Sequence, residues 1–138
     1  LRCPKCGIEV DENSLFCPKC GMSLELVRNF MVATTPTIPG YRVKKVLGIV
    51  TGVSPRTRGV LGRFIASVET MFGGEVKAFT TEIEKARMEA VERMKDKAIS
   101  MGANAVVGVD LETSDLGLGA GIIVISATGT AVIIEPEQ

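Results

Sequence analysis

Residues 75–101 read EVKAFTTEIEKARMEAVERMKDKAISM. Val76, Phe79, Ile83, Ala86, Ala90, Val91, Met94, Ala98 and Met101 form one apolar stripe at the period of an α-helix. Lys85 with Glu89, and Glu89 with Arg93, stand one turn apart on the wet side. Glu75 near the start and Lys95 and Lys97 near the end suit the helix dipole, and Gly102 provides a stop. At about 1.5 Å per residue such a helix spans about 40 Å, which makes it the longest element expected in so short a chain.

Strand patterns flank it. Ala103, Ala105, Val107, Val109 and Leu111 alternate with Asn104, Gly108 and Asp110, as in a half-buried strand. Residues 116–134 carry no charge and have the length of a membrane span, but Gly117, Gly119, Gly121 and Gly129 and the β-branched run Ile122-Ile123-Val124-Ile125 favour a strand. That strand is apolar on both faces, Ile122, Val124 and Val132 against Ile123, Ile125 and Ile133, and is expected to need a partner chain. The turn Thr113-Ser114-Asp115 and its following glycines read as a polar-tipped loop. Upstream, Leu61, Phe64, Ile65, Val68 and Phe72 mark a shorter helix closed by Gly73-Gly74. Before it, residues 41–51 are β-prone, with Tyr41, Val43, Leu47 and Ile49 on one face, Val46 and Val50 on the other, and Pro55 as the stop. Met31 to Thr35 is a short β-prone run halted by Pro36 and Pro39-Gly40. The order is strand, strand, helix, helix, strand, strand, an α+β pattern.

The first 25 residues follow a different logic. All four cysteines fall in two copies of one pentapeptide, Cys3-Pro4-Lys5-Cys6-Gly7 and Cys17-Pro18-Lys19-Cys20-Gly21. Two such turns present four thiolates that close a tetrahedron around Zn²⁺, and the glycine after each second cysteine permits the left-handed backbone of a tight knuckle. Asp11-Glu12-Asn13-Ser14 supplies the intervening turn. Phe16, with Ile8, Val10, Leu15 and Met22, is too little apolar material for a core, so metal ligation is expected to supply most of the folding free energy. Arg2, Lys5 and Lys19 are expected to offset part of the thiolate charge. Two redox-active pairs, two disulfides, or iron in the same cage compete with this reading. Repetition of the motif and the lack of a strand-to-helix context disfavour redox pairs. Disulfides imply export, and the sequence has no positively charged start with an apolar stretch and cleavage site, so a reducing cytoplasm is expected. Zinc is favoured and iron stays open. A fully four-coordinate ion is expected to be structural.

The whole chain has 138 residues, 46% of them apolar, with 16 Lys+Arg against 16 Asp+Glu. That composition excludes disorder, and the zero net charge argues against a generally basic nucleic-acid coat or a membrane-surface protein. The absence of histidine removes Ser/His/Asp and Cys/His catalysis, imidazole bases and His-ligated metals. Charge is nevertheless segregated. Arg28, Arg42, Lys44, Lys45, Arg56, Arg58 and Arg63 lie between Glu25 and Glu69 with no acid among them, and Asp110, Glu112, Asp115, Glu135 and Glu137 follow Lys97 with no base. Solvated faces and complementary subunit contacts account for this, with an anion or nucleic-acid site around Arg56, Arg58 and Arg63 as the alternative.

The motifs Thr34-Thr35-Pro36-Thr37-Ile38-Pro39-Gly40-Tyr41, Arg58-Gly59, Gly73-Gly74-Glu75 and Gly102-Ala103-Asn104-Ala105-Val106-Val107-Gly108-Val109 resemble the YbjQ-like family, labelled a heavy-metal-binding domain. The resemblance covers about residues 31–138, and residues 1–25 separately resemble a zinc ribbon, with 26–30 as a short connector. It implies a dodecin-like α+β subunit that assembles into a ring, as a pentamer. No cysteine or histidine lies in residues 31–138, so a second metal site there would need carboxylates, such as Glu75, Asp110, Glu112 and Asp115, carbonyls or methionine thioethers. The expected function is a non-enzymatic, cytoplasmic zinc-binding oligomer, with no membrane attachment, whose ribbon recruits a protein partner. The alternatives are nucleic-acid binding through the ribbon lysines and residues 28–63, or an enzyme with Arg56 or Arg58 beside Asp110 or Glu112 between subunits.

Overall fold

The computed structural model describes residues 1–56, 74–115 and 123–137. The short helix expected over residues 61–72, Arg58, Arg63 and Gly117 to Gly121 lie outside them. The elements are α1 (Glu25–Arg28), β1 (Met31–Val32), β2 (Tyr41–Arg56), α2 (Gly74–Ser100), β3 (Ala105–Asp115) and β4 (Ile123–Pro136). The strands form one sheet in the order β1-β3-β4-β2, so the fold is α+β. β1 runs parallel to β3, with Met31 opposite Ala105 and Val32 opposite Val106. The chain divides into two compact units, Leu1–Val50 with Lys95–Val109 and Gly129–Gln138, and Thr51–Met94 with Asp110–Thr128.

In the first unit, Ala105, Val107, Val132 and Ile134 form a buried cluster against which Met31, Ile38 and Tyr41 pack. The Pro39-Gly40 turn delivers Tyr41 there: the Tyr41 N–H donates to the Ile38 carbonyl at 3.0 Å, and Gly40 takes φ 84°, the left-handed position of a type II turn. Asn104 clamps the start of β3 to β4. Its amide nitrogen donates to the Ile134 carbonyl at 2.9 Å, and its amide oxygen accepts the Ile134 N–H at 2.7 Å. The side chain therefore does the work of one more ladder residue.

In the second unit, Ala86, Ala90 and Met94 of α2 are fully buried. The helix backbone approaches β2 so closely there that a Cβ on Gly52 would lie 2.0 Å from the Ala90 carbonyl oxygen and 2.4 Å from the Met94 nitrogen. Glycine is required there by proximity. Arg93 pairs with Glu89, as the spacing predicts, and also donates to the Val53 carbonyl.

Several expectations are corrected. Strand β2 continues through Pro55 to Arg56, because an outer strand tolerates a residue without an N–H. Its buried positions are Val50, Gly52 and Ser54, whereas Ile49 is 78% exposed and Val46 61%. Thr113, Ser114 and Asp115 belong to β3, not to a loop. Leu111 and Met101 are exposed, so both apolar stripes end sooner than their sequence pattern. Residues 123–136 are a strand, and no helix among the described residues is long and apolar enough to cross a membrane. Ile125, Ala127, Ala131, Val132 and Ile134 of β4 are already buried within one chain, so exposed apolar surface lies on β2 rather than on β4.

Candidate metal centre

The four cysteines converge. Their sulfurs lie within 4.8 Å of one another, with Cys3 to Cys20 at 3.5 Å and Cys6 to Cys17 at 3.4 Å, and none is in a disulfide. A tetrahedron with metal–sulfur bonds of about 2.3 Å has sulfur–sulfur edges of about 3.8 Å, so the cage has the dimensions of one four-coordinate ion. Among the described residues this is the one such cluster of potential ligands.

Local structure repeats at an offset of 14 residues, which is why the cage is regular. The Cys3 N–H bonds the Ile8 carbonyl at 3.0 Å and the Gly7 N–H the Cys3 carbonyl at 2.8 Å; the Cys17 N–H bonds Met22 at 2.8 Å and the Gly21 N–H bonds Cys17 at 2.9 Å. Gly7 and Gly21 take φ 79° and 77°. Isolated bridges, Arg2 to Glu9 and Phe16 to Ser23, close the two knuckles. Between them Asp11 makes the turn, its carboxylate accepting the Asn13 N–H at 3.0 Å and its carbonyl the Ser14 N–H at 3.0 Å.

Backbone amides, rather than cationic side chains, stabilise the sulfur charge. Burial pushes Cys17 up, but the N–H groups of Cys20 and Lys19 and the thiols of Cys6 and Cys20 prevail and bring it down to about 6. Cys3 is lowered in the same way: burial raises it, and the N–H groups of Cys6 and Lys5 with the Cys20 and Cys6 thiols outweigh this. The Ile8 N–H pulls Cys6 down, yet burial and the thiols of Cys17, Cys3 and Cys20 drive it up to about 11. Cys20 is raised too, its Met22 N–H outweighed by burial and by the Cys3 and Cys17 thiols. Each close sulfur pair thus joins a lowered thiol to a raised one.

Arg2, assigned above to charge compensation, instead pairs with Asp96 on α2 at 2.5 Å. Phe16 and Leu15 are not core residues: they are 61% and 67% exposed. The cluster around the metal site consists of buried Cys3, Cys17 and Leu24, with Leu1, Ile8, Val10, Met22 and Val27 partly covered. Leu24, near the end of the ribbon and not singled out in the sequence, is its one fully buried side chain that is not a cysteine. The 14-residue offset is the signal that finds it, because the Leu24 N–H bonds Leu15 as the Val10 N–H bonds Leu1. The Lys95 ammonium lies 5.9 Å from the centre of the Phe30 ring, a cation–π contact at the end of the connector. Of the carboxylates considered for a second cation site, Asp110 and Glu112 are exposed on β3 and join no ligand cluster.

Comparison with known proteins agrees with this division of the chain. Residues 2–24 match the zinc-ribbon domain, and residues 30–135 match the YbjQ family, described as "Putative heavy-metal-binding". The chain belongs to the YbjQ family. UPF0145 proteins are close relatives: one from Methanocella arvoryzae is 42% identical, covering 81% of this chain and 92% of its own. Another from Saccharolobus islandicus is 44% identical, covering 75% and 90%. A DUF74-family protein of unknown function from Pediococcus pentosaceus has a crystal structure with TM-score 0.51 at 16% identity, covering 77% of this chain and 98% of that one, and shares the fold. The YbjQ-matched segment contains no cysteine or histidine, so the thiolate ligands of this chain are confined to the ribbon.

Proposed function

We propose that this protein is a non-enzymatic, cytoplasmic, oligomeric binding protein in which Cys3, Cys6, Cys17 and Cys20 hold one structural Zn²⁺. The observation that carries the reading is the cage itself. Four sulfurs of one chain, all within 4.8 Å, fill a tetrahedral coordination sphere and leave no position for water or substrate. Zinc is the ion that favours this thiolate set without redox chemistry. The ion replaces a core the ribbon lacks, since its buried cluster is two ligands and Leu24.

The YbjQ-matched part is a dodecin-like subunit whose role is assembly, as a ring-shaped pentamer. Its support is the outer strand β2, sixteen residues long with exposed Val46 and Ile49, an edge that a solitary chain leaves open to pairing. The exposed Leu15 and Phe16 on the ribbon support a protein partner at that end. Native mass spectrometry of the purified protein, with metal analysis, tests the reading. Pentamers with one zinc per chain are expected, and a metal-free monomer would overturn it.

A further inference from the structure

Among the described residues the sheet has two open stretches of edge, and they carry opposite charge. β2 is an outer strand, and residues 42–46, which include Arg42, Lys44 and Lys45, are all exposed, so neither sheet face is covered there. On the other side, β1 and its continuation accompany β3 only as far as Val109, whose N–H donates to the Ala33 carbonyl at 3.1 Å. Beyond it, residues 110–114, with Asp110 and Glu112, are again five exposed residues in a row, and no described strand lies beside their outer edge.

We infer that residues 42–46 of β2 pair with residues 110–114 of β3 in a second copy of this chain, joining a basic edge to an acidic one. The inference rests on the oligomeric reading above and assigns its surfaces. Charge selects the pairing. Two β2 edges together would set Lys44 and Lys45 against themselves, and two β3 edges would oppose Asp110 and Glu112, whereas a mixed ladder sets the strand face of Lys44, which it shares with the Glu135-paired Arg42, against the face of Asp110 and Glu112. Both edges occur once in every chain, so each copy supplies what the next lacks, and a foreign peptide is not required.

Apolar surface accompanies each edge. Val46 and Ile49 stand exposed on β2. Beside the acidic edge, Arg87, Met88, Val91, Glu92 and Leu111 line a hollow of about 240 Å³ in which Met88 is 69% exposed. A five-residue ladder buries little against the roughly 800 Å² per partner of a stable interface, and these side chains supply the remainder.

Charge reversal tests the pairing in the full-length, zinc-loaded protein by sedimentation across a dilution series, with zinc content and circular dichroism as fold controls. Lys44→Glu with Lys45→Glu, and separately Asp110→Lys with Glu112→Lys, are expected to raise the subunit dissociation constant about tenfold or more. All four changes in one chain should restore it. If the parent assembles and neither pair of reversals weakens it, or the quadruple variant stays weak while folded, the edge assignment is wrong although the oligomer stands. A monomeric parent removes both readings. Hydrogen exchange provides a measurement without mutation: the amides of residues 42–46 and 110–114 should be protected in the assembled protein and lose protection on dilution, and rapid exchange at full assembly overturns the pairing.

Discussion

Zinc uptake should expel protons, and their number reports the state of the ribbon before the ion arrives. In a metal-free but folded cage, Cys17 near 6 is already a thiolate at pH 7 while Cys6 near 11 keeps its proton, with Cys3 lowered and Cys20 raised. Such a cage would release fewer than four protons per ion. In an unfolded ribbon every thiol titrates near about 8.5, and binding at pH 7 would release about four. Because the cluster contains one buried side chain beyond its cysteines, the unfolded start is expected, with about four protons released and zinc affinity rising about 10⁴-fold per pH unit below pH 8. Calorimetric titration in two buffers of different ionisation enthalpy counts them. A value well below four would refute metal-dependent folding, and a value near zero would refute thiolate ligation. The same shifts set the pH behaviour of any folded metal-free form. The stability contributed by the depressed Cys17 is lost as pH falls through about 6, and that of the raised Cys6 is lost as pH rises through about 11.

Gly52→Ala places a methyl against the backbone of α2 and should cost about 3 kcal/mol in denaturant unfolding, since neither the Ala90 carbonyl nor the Met94 nitrogen can rotate away. A loss below about 0.5 kcal/mol would show that the helix sits farther from β2 than described. Asn104→Ala leaves the Ile134 N–H and carbonyl without their amide partner and should cost about 1–3 kcal/mol by the same measurement. Arg2→Ala removes a pair whose side chains are 43% and 25% exposed, so it should cost less than about 1 kcal/mol and leave zinc content unchanged.

What the sequence made legible follows from how local each signal is. The helix over residues 75–101 is found to within one residue at either end, because its stripe and its glycine stop are local, and the Glu89–Arg93 pair forms at its predicted spacing. The convergence of the four cysteines is read from spacing alone, since Cys-x-x-Cys-Gly fixes its own knuckle and needs only a second copy. The alternation of β2 divides its residues between two faces but does not say which of them is buried. That is decided by Gly52, whose missing side chain admits the helix backbone and makes Val50 and Ser54 the inner positions. Leu15 and Phe16, counted in the sequence among the ribbon's scarce apolar residues, stand exposed, because a module with so small a buried cluster does not cover them. Leu111 continues the inward alternation of β3 yet is exposed.

The central claim is that four sulfurs of one chain grip one zinc ion. Metal analysis combined with thiol alkylation of the native protein tests it most directly. One zinc per chain, with all four cysteines unreactive until a chelator is added, is the predicted result. A folded preparation containing no zinc, or cysteines that alkylate freely with the ion still bound, would contradict it.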